Sequence, residues 1–433
     1  MEMRTLNIPP HVAALLDALQ LQERKMQPLR ELEEDQWRDL LEFCDTSHLT
    51  LSLAQLPRVE MPQWVAERLE CNLADNAVRY KKIQSVYLEA ATALHHAGVE
   101  HIVIKGFTQS PDYVVRPEYR SQSDLDLYCP PIQIATASAA LKQIGYTSDE
   151  SLSIAAADHE YALVRPGSWH WKGNFYDPDI PIGIELHFCL WNPRVSRIDL
   201  PETEAFWERR VVRQLDGFSF PSLSSEDHLG YLALHILRNL FLRDWIVHHV
   251  YELAAFLHSH ADDDAFWCSW NTLHSPALRS LELIAFYHAR AWFRCRLHPS
   301  VEQELNHLPF AQLTWLERFS GSALENMFHQ NKDSLWLHLS LLISRREKWK
   351  IFKRTLVPPR IASPHAKVVR VRNKRFVAST ASQFCQYLNY LVARSVSHGA
   401  ASIATLSRGL AWKISRHRLS STYRLFLLAS FFF

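Results

Sequence analysis

Two spacings of apolar residues alternate along the chain and divide it into helical and strand-forming regions. From residue 11 to about residue 98 the apolar positions follow the helical period, most clearly over residues 72–97, which end before Gly98. Short apolar, β-branched runs then begin. They predict strands at residues 101–104, 124–128, 161–165 and 182–190, with a helix over residues 134–144.

After Pro201 the helical spacing returns, and the sequence predicts no further strand. Ser224 and Ser225, followed by Glu226 and Asp227, have the composition of a helix start. The apolar positions after this start recur at helical spacing. Additional helices are predicted over residues 245–258, 276–294, 335–352, 382–396 and 403–414.

This order of elements predicts the fold class α+β, with a small mixed β-sheet core flanked by largely helical N- and C-terminal regions. At 433 residues the chain is long enough for two or three packed units. We divide it into an N-terminal helical region (1–75), a sheet-bearing core (76–200), a helical domain (201–360) and a basic C-terminal tail (361–433).

Composition and charge are those of a soluble globular protein and leave its partners open. Hydrophobic residues make up 47% of the chain and charged residues 21%, within the usual range of that class. The net charge of +1 gives no reason by itself to expect a polyanionic partner. Seven scattered cysteines without a CxxC pair favour free thiols over a disulfide framework or a zinc site. Because no secretory signal and no apolar run of ~20 residues is evident, we expect a cytoplasmic location.

Acidic side chains on two of the predicted strands are the strongest chemical feature. Side chains two apart on a strand point the same way, so Asp124 and Asp126 share one face while the leucines between and after them are buried on the other. The second strand repeats this pattern with Glu185 and His187. Carboxylates held side by side repel each other, and a divalent cation such as Mg²⁺ relieves that repulsion.

A DxD pair alone is more often solvated charge than a metal site. Two further observations favour the metal site here. Lys105 and Gly106 lie one strand upstream, and the acid-bearing strand with Glu185 follows downstream. Together these features predict a site for a metal and an anionic ligand.

These residues carry a resemblance to a known family. The run IVIKGFTQSPDYVVRPEYRSQSDLDLY, which contains Lys105-Gly106 and ends in the acidic strand, resembles the signature of the uncharacterised nucleotidyltransferase family, a branch of the polymerase-β-like superfamily. IELHFCLW resembles the family's acid-Leu-His strand. SEDHLGYLALHILRNL, followed by Trp245 and Glu252-Leu253, resembles its helical half, and EKWKIFKRTLVPP also has the family's character. The resemblance covers residues 30 to 360, with most of its weight in residues 100–190.

The resemblance implies that three carboxylates bind two Mg²⁺ ions. Asp124 and Asp126 would hold the metals, and Glu185 would complete the site and help to activate an acceptor hydroxyl. One ion would orient the nucleoside triphosphate, and the other would stabilise the in-line displacement at its α-phosphate.

The same resemblance implies a nucleotide-binding set. Gly106 would let the backbone approach the phosphates at a helix start, and Lys105 would add a positive charge there. Arg120 and Ser123, just before the acidic strand, could contact phosphate, although an exposed loop arginine is an equally good interpretation of Arg120.

Two features depart from the superfamily pattern. The distance from Gly106 to Asp124 is longer than in most polymerase-β-like enzymes, although it suits this branch. The third acid is Glu185 where Asp is common, and the added methylene shifts its carboxylate. An inactive, nucleotide-binding descendant therefore remains an alternative.

Several other polar residues have weaker interpretations. His187 is predicted either to support Glu185 beside the metal or to be a satisfied buried histidine. Polar residues of the helical half could close over base or acceptor, but helix-surface charge is the preferred interpretation: His228, His235, Arg238, Arg243 and Asp244. A solvated loop is preferred over a metal site for His258, His260 and Asp262 to Asp264.

The end of the chain is basic, since no Asp or Glu occurs from Ile351 onward. Cations cluster at residues 367–375 and again at 408–424, interleaved with Trp412, Tyr423 and the terminal aromatics. Such a segment could bind an anionic membrane surface peripherally, or a nucleic acid. Surface charge that complements the acidic N-terminal region explains the pattern equally well.

The leading functional prediction is a Mg²⁺-dependent nucleotidyltransferase. It would move a nucleoside monophosphate from a nucleoside triphosphate to an unknown acceptor, which could be a protein, a peptide, a sugar or a small molecule. The alternatives are a catalytically inactive nucleotide-binding or regulatory module of the same fold, and a nucleic-acid-modifying transferase guided by the basic tail. Acceptor identity has no signature in this chain.

Overall fold

The computed structural model describes residues 6–148, 158–244, 246–357 and 392–413. The chain forms two compact units, one from Ile8 to Leu308 and one that joins the first residues to those from Pro309 onward. Trp245, the basic cluster at residues 367–375 and everything after residue 413 lie outside the described residues.

Helices make up most of the larger unit. The long helix over the predicted 72–97 region begins nine residues earlier, at Gln63, directly after its non-helical N-cap Pro62. The helices are α1 (Pro10–Ala18), α2 (Gln27–Arg30), α3 (Glu34–Ser47), α4 (Thr50–Leu53), α5 (Gln63–His96), α6 (Ile134–Gln143), α7 (Pro193–Ser196), α8 (Ala205–Glu208), α9 (Ser225–Leu242), α10 (Val247–Ser259), α11 (Asp264–Leu273), α12 (Pro276–Phe293) and α13 (Pro299–Asn306).

A seven-stranded mixed sheet lies at the centre of the described part of this unit, in the order β3-β4-β5-β2-β1-β7-β6. The predicted α+β class, with a mixed sheet between helical regions, is therefore confirmed. The strands are β1 (Ile102–Val103), β2 (Asp124–Tyr128), β3 (Thr147–Ser148), β4 (Leu163–Val164), β5 (Gly183–His187), β6 (Val211–Leu215) and β7 (Phe218–Ser222).

Strands β2 and β5 are parallel neighbours near the middle of the sheet. Their register pairs Asp124 with Gly183, Asp126 with Glu185 and Tyr128 with His187. Since directly paired residues point to the same face, the acids of both strands lie on one side of the sheet. The register thus brings the two predicted acidic strands together.

The opposite face of these strands packs on α5 and α6. Leu125 and Ile184 on the strands are fully buried against Tyr87 and Leu94 of α5 and Leu141 of α6. Each apolar side chain removed from water in this way contributes on the order of 1.5–3 kcal/mol. The leucines of β2 therefore point into this core, and the acids between them point to the opposite, acidic face of the sheet.

The hairpin of β6 and β7 contradicts the prediction that only helices follow Pro201. Asp216 and Gly217 connect the strands with φ values of +47° and +82°, the backbone of a two-residue hairpin turn. The Asp-Gly pair was a turn signal in the sequence. The strands form because β7 pairs with β1, Ser222 opposite Val103, and this non-local contact has no trace in the local spacing.

The predicted helix start at residues 224–227 is confirmed. Ser224 is the N-cap of α9, and its hydroxyl accepts the Asp227 N–H at 3.3 Å. At the other end, Arg243 adopts a left-handed conformation with φ +59°, which ends the helix.

In the smaller unit, the structure breaks the predicted helix 335–352 into two. Leu342 is extended, and the Ser344 hydroxyl accepts the Glu347 N–H and caps a new helix. The helices of this unit are α14 (Phe310–Phe319), α15 (Ser322–Glu325), α16 (Ser334–Leu341) and α17 (Arg345–Leu356), followed by helical residues 392–413.

Residues 392–413 pack against α16 as ordinary structure. Thr405 is fully buried, and Trp412, one of the aromatics interleaved with the basic cluster, is 4% exposed. Arg408 pairs with the buried Asp333 at 3.1 Å, and the Trp336 indole donates to the Thr405 carbonyl. Across the described residues, none of the helices has both the length and the apolar character that a membrane span requires.

Candidate active site

Two carboxylates and an imidazole meet where β2 and β5 pair. Ligand atoms of Asp126, Glu185 and His187 all lie within 4.8 Å of one another, the one group among the described residues with this metal-ligand geometry. Asp124 lies two residues before Asp126 on the same face but is not part of that group. The structure therefore gathers two of the three predicted acids tightly and adds a histidine to them.

Asp126 is the most strongly held of these groups. Its Oδ1 lies 2.6 Å from the Lys105 ammonium and 2.8 Å from the His187 Nε2, and its side chain is 4% exposed. Burial by itself would raise the pKa of Asp126. The Lys105 charge and the His187 hydrogen bond outweigh burial and hold that pKa well below its usual range. Asp126 is therefore ionised at any physiological pH.

Asp124 has the opposite perturbation. Burial, and then the neighbouring charges of Asp126 and Glu185, raise the pKa of Asp124 to about 7. Three carboxylates thus lie on one face, and the charges of Lys105 and Arg120 do not cancel the effects of burial and of the neighbouring acids on Asp124. A divalent cation supplies the missing charge, and oxygen donors from carboxylates suit Mg²⁺. The residues present therefore fit a divalent metal.

Glu185 is the more accessible member of the paired acids. Its side chain is 19% exposed, and its Oε2 lies 3.5 Å from the His159 Nε2 and 3.7 Å from the His187 Nε2. Burial is the largest single effect on His187 and would lower its pKa. The hydrogen bonds to Asp126 and Glu185 together outweigh burial, so the pKa of His187 is raised. Sequence reasoning missed His159, whose position follows from its bridge to His187 across from β5.

Gly106 begins the short 3₁₀ turn Gly106–Gln109 directly after Lys105. Its φ is +74°, and a Cβ added there would lie 2.2 Å from the Gln122 side-chain nitrogen. That nitrogen donates to the Asp124 carbonyl at 2.7 Å, so Gln122 braces the start of β2 across the glycine. The left-handed backbone favours glycine at this position, and a larger residue would have to displace the Gln122 side chain.

Ser123 and Arg120 precede β2 in different environments. The Ser123 side chain is exposed, whereas its carbonyl is held from α5. Arg120 is not an exposed loop arginine, as one interpretation of the sequence had it. Its side chain is 10% exposed, and its Nε lies 2.9 Å from the Oε1 of Glu252, whose Oε2 accepts from Gln109. The pair joins this loop to α10.

Helix α9 presents buried polar residues on one face, which corrects the prediction of helix-surface charge. His228 is 1% exposed and lies 3.4 Å from the Thr108 hydroxyl, and His235 is 8% exposed. Arg238 forms an ion pair with Asp158, next to the segment that borders β5. The exposed Asp244 and the half-buried Arg243 lie beyond the end of α9.

Tyr231 belongs to the same face of α9 and was missed. Burial raises the pKa of Tyr231, and the nearby charges of Asp126 and Glu185 raise it further. This face of α9 is therefore the one that lies near the carboxylates. The positions 228, 231, 235 and 238 repeat at helical spacing, a signal that was present in the sequence.

The acidic and histidine-rich segment after α10 has structural roles. Asp263 caps α11 by accepting the Phe266 N–H, and Asp262 pairs with Arg296 at the surface. His258 accepts a backbone N–H from Arg296, and the ring of His260 stacks on Phe256. In the described ranges these residues form no metal-ligand group.

Two buried residues of α5 that hold the loop before β2 were also not predicted from the sequence. Arg79 and Asn76 are each 2% exposed, and both donate to backbone carbonyls of the loop before β2. Their spacing with Asn72 places three polar residues on the buried side of an otherwise amphipathic helix. The helical spacing of these three polar residues was the signal in the sequence that could have identified them.

One comparison identifies the family. A family model described as uncharacterised nucleotidyltransferase matches residues 33–294, more than half of the chain. Neither the curated proteins nor the solved structures gave a match to this chain. The matched range contains β2, β5, Lys105 and the helices α9 and α10, and it confirms the resemblance that the strand motifs predicted. The chain therefore belongs to the uncharacterised nucleotidyltransferase family, and it is an enzyme of the nucleotidyltransferase class.

Proposed function

We propose that the enzyme transfers a nucleoside monophosphate from a nucleoside triphosphate to a nucleophilic acceptor, with Mg²⁺ held by Asp124, Asp126 and Glu185. The observation that carries the proposal is the register of β2 and β5, which sets Asp126 directly opposite Glu185 on the face where the neighbouring acids raise the pKa of Asp124. His187, within the same 4.8 Å group, supports these acids by its hydrogen bond to Asp126.

The reaction breaks the bond between the α-phosphorus and the bridging oxygen of the triphosphate. The acceptor oxygen forms a new bond to that phosphorus, pyrophosphate leaves, and the acceptor proton passes to a base. We assign that base to Glu185, because its carboxylate is 19% exposed while that of Asp126 is 4% exposed. Two bound Mg²⁺ ions would supply positive charge that orients the triphosphate and stabilises the in-line displacement.

Lys105 supports binding of the triphosphate. Its ammonium is 13% exposed and is held at the acidic face by Asp126, so it can reach an incoming phosphate with little loss of conformational freedom. Gly106 directly follows Lys105, Ser123 directly precedes β2, and Arg120 pairs with Glu252 of α10. We assign Lys105 and Gly106 to direct phosphate contact and Arg120 to support.

The acceptor is a protein, a peptide, a sugar or a small molecule, and no described contact selects among these classes.

A role of the basic tail at an anionic membrane surface or on a nucleic acid is a separate proposal. Residues 392–413 pack on α16, so this role falls to the cluster at residues 367–375 and to the chain end. Salt-sensitive binding to RNA, DNA or anionic vesicles by the full chain tests it.

The experiment measures pyrophosphate release from each of the common triphosphates with Mg²⁺ and cell lysate as the source of acceptor. The parent is compared with Asp126→Asn, which keeps the size of the side chain and removes its charge, and with Asp262→Asn as a matched control at the surface. We expect a loss of at least about a hundredfold in Asp126→Asn, the scale of removing one preorganised electrostatic contact to a transition state.

Two results would contradict the proposal. Full turnover by a folded Asp126→Asn protein would remove the metal assignment. Triphosphate binding by the parent, without pyrophosphate release under any condition, would favour the inactive nucleotide-binding module over the transferase.

A further inference from the structure

Arg79, on helix α5, donates hydrogen bonds to both of the loops that lead into the carboxylate strands. Its Nε donates to the Gln122 carbonyl at 2.8 Å and its Nη2 to the Ser123 carbonyl at 3.0 Å, just before β2. Its Nη1 donates to the Ile180 carbonyl at 2.8 Å, in the loop before β5. One buried side chain therefore joins two segments that are distant in sequence.

The shape of the guanidinium explains how one residue does this. The group is planar and has five N–H donors in fixed directions, so it can hold several carbonyl oxygens in a set arrangement. A lysine ammonium rotates on a flexible stem and fixes no such plane. Since buried loop carbonyls need partners, Arg79 both satisfies these three oxygens and sets their relative positions.

Asn76 lies one turn earlier on α5 and contacts only one of the two loops. Its Nδ2 donates to the carbonyls of Glu118 at 2.7 Å and Arg120 at 3.0 Å, both before β2. Within the described part of the chain, Asn76 makes no hydrogen bond of this kind to the loop before β5. Asn76 is therefore a suitable control residue for Arg79, because it is equally buried but holds only one of the two loops.

We infer that Arg79 is a positioning residue, which sets the separation of Asp126 and Glu185 by tying together the entries of the strands that carry them. The inference rests on the proposed function, because it concerns the same pair of metal ligands. A divalent cation requires its oxygen ligands at short and defined separations, so a small shift of one strand entry weakens its binding. Among the described residues, the hydrogen bonds of Arg79 go to the carbonyls of the two loops and not to either carboxylate of that pair. Its charge also acts on Asp124, and Arg79→Lys keeps that charge.

The test replaces Arg79 with lysine, which keeps a positive charge and loses the planar fork. Mn²⁺ is the probe, because its binding is followed by electron paramagnetic resonance without nucleotide or acceptor. We expect Arg79→Lys to fold with a lower melting temperature and to bind Mn²⁺ about tenfold more weakly, the usual effect of groups that orient metal ligands. In turnover assays the Mg²⁺ concentration at half-maximal rate should rise by a similar factor.

Two control variants separate positioning from general stability. Asn76→Ala removes two hydrogen bonds to the carbonyls of Glu118 and Arg120, which lie farther from β2 than the Gln122 and Ser123 carbonyls that Arg79 holds. Its melting temperature should therefore also fall, while its Mn²⁺ affinity stays at the parent value. Lys82→Met removes an exposed ion pair between α5 and Asp179, and neither quantity should change. Parent-like Mn²⁺ affinity in Arg79→Lys would overturn the inference, as would an equal loss of affinity in Asn76→Ala.

If Arg79→Lys does not fold, Arg79→Ala with added guanidinium ion takes its place. Recovery of Mn²⁺ binding with guanidinium but not with ammonium would support the positioning role, and no recovery would overturn it. Asp126→Asn keeps the two proposals distinguishable. Loss of Mn²⁺ binding there, with parent affinity in Arg79→Lys, removes only the positioning role. Retained binding in Asp126→Asn removes the metal site itself.

Discussion

Stability of the helical region should depend on pH through His274, which lies fully buried between two carboxylates. Its Nδ1 lies 2.8 Å from the Glu282 Oε1, and its Nε2 lies 3.2 Å from the Asp227 Oδ1. Both ring nitrogens can donate only when the imidazole is protonated. Arg209 also pairs with Asp227, and the Trp270 indole donates to Glu282, so the carboxylates stay in place when the histidine loses its proton.

The size of the effect follows from the pKa. Burial would lower the pKa of His274, but the Glu282 charge and the hydrogen bonds to both carboxylates raise it from 6.5 to about 9. At about 1.36 kcal/mol per unit, this corresponds to ~3 kcal/mol of stability. Because the folded-state pKa is the higher one, the contribution is complete below the unfolded pKa of 6.5 and is lost as pH rises through 9.

The assay compares urea unfolding of the parent and of His274→Gln between about pH 6 and pH 9.5, where the linked proton is gained and lost. The stability advantage of the parent should shrink by ~3 kcal/mol across that range. His307→Gln is the matched control, since His307 is exposed at the end of α13 and should leave the pH dependence unchanged. A constant advantage of the parent over His274→Gln at every pH would refute the reasoning.

Three further predictions follow from other contacts. Lys105→Ala should weaken triphosphate affinity more than it slows turnover, because the ammonium lies at the edge of the acidic face; equal affinities by calorimetry would contradict this. Gly106→Ala should cost at least ~1–2 kcal/mol from its left-handed backbone alone, and more from the contact with Gln122, which thermal denaturation can measure. Ending the chain at Pro359 removes the partners of Asp333 and Trp336, so we expect a lower melting temperature and poor solubility. A stable, soluble truncated protein that has lost only vesicle binding would instead favour the membrane anchor.

The acidic strands were predictable from the sequence because their determinants are local. Leucine alternates with aspartate in β2 and with Glu185 in β5, and this period places apolar and acidic side chains on opposite faces without further information. The same alternation fixed the strand limits of β2 to the residue. The family resemblance added the expectation that the carboxylates of both strands bind the same metal ions.

The rest of the site depends on contacts that are distant in sequence. Arg79 reaches the Ile180 carbonyl, and Arg120 reaches Glu252, each across a long stretch of chain that no local pattern connects. The hairpin of β6 and β7 forms on the edge of β1 for the same reason. The division of the chain into four regions, the roles of the site residues and the identity of the acceptor stay predictions.

The parallel pairing of β2 and β5 has a consequence for the order of folding. A parallel pair cannot be closed by a tight turn, and here the chain must complete a crossover containing α6, β3 and β4 before the strands can meet. The entropy lost in closing so long a loop delays this step relative to local helix formation. Asp126 and Glu185 therefore become neighbours only when β2 and β5 have paired. Cation binding should accordingly favour the closed sheet over every partly folded form, and the onset of Mn²⁺ binding during refolding should mark the moment at which the last central strand is in place.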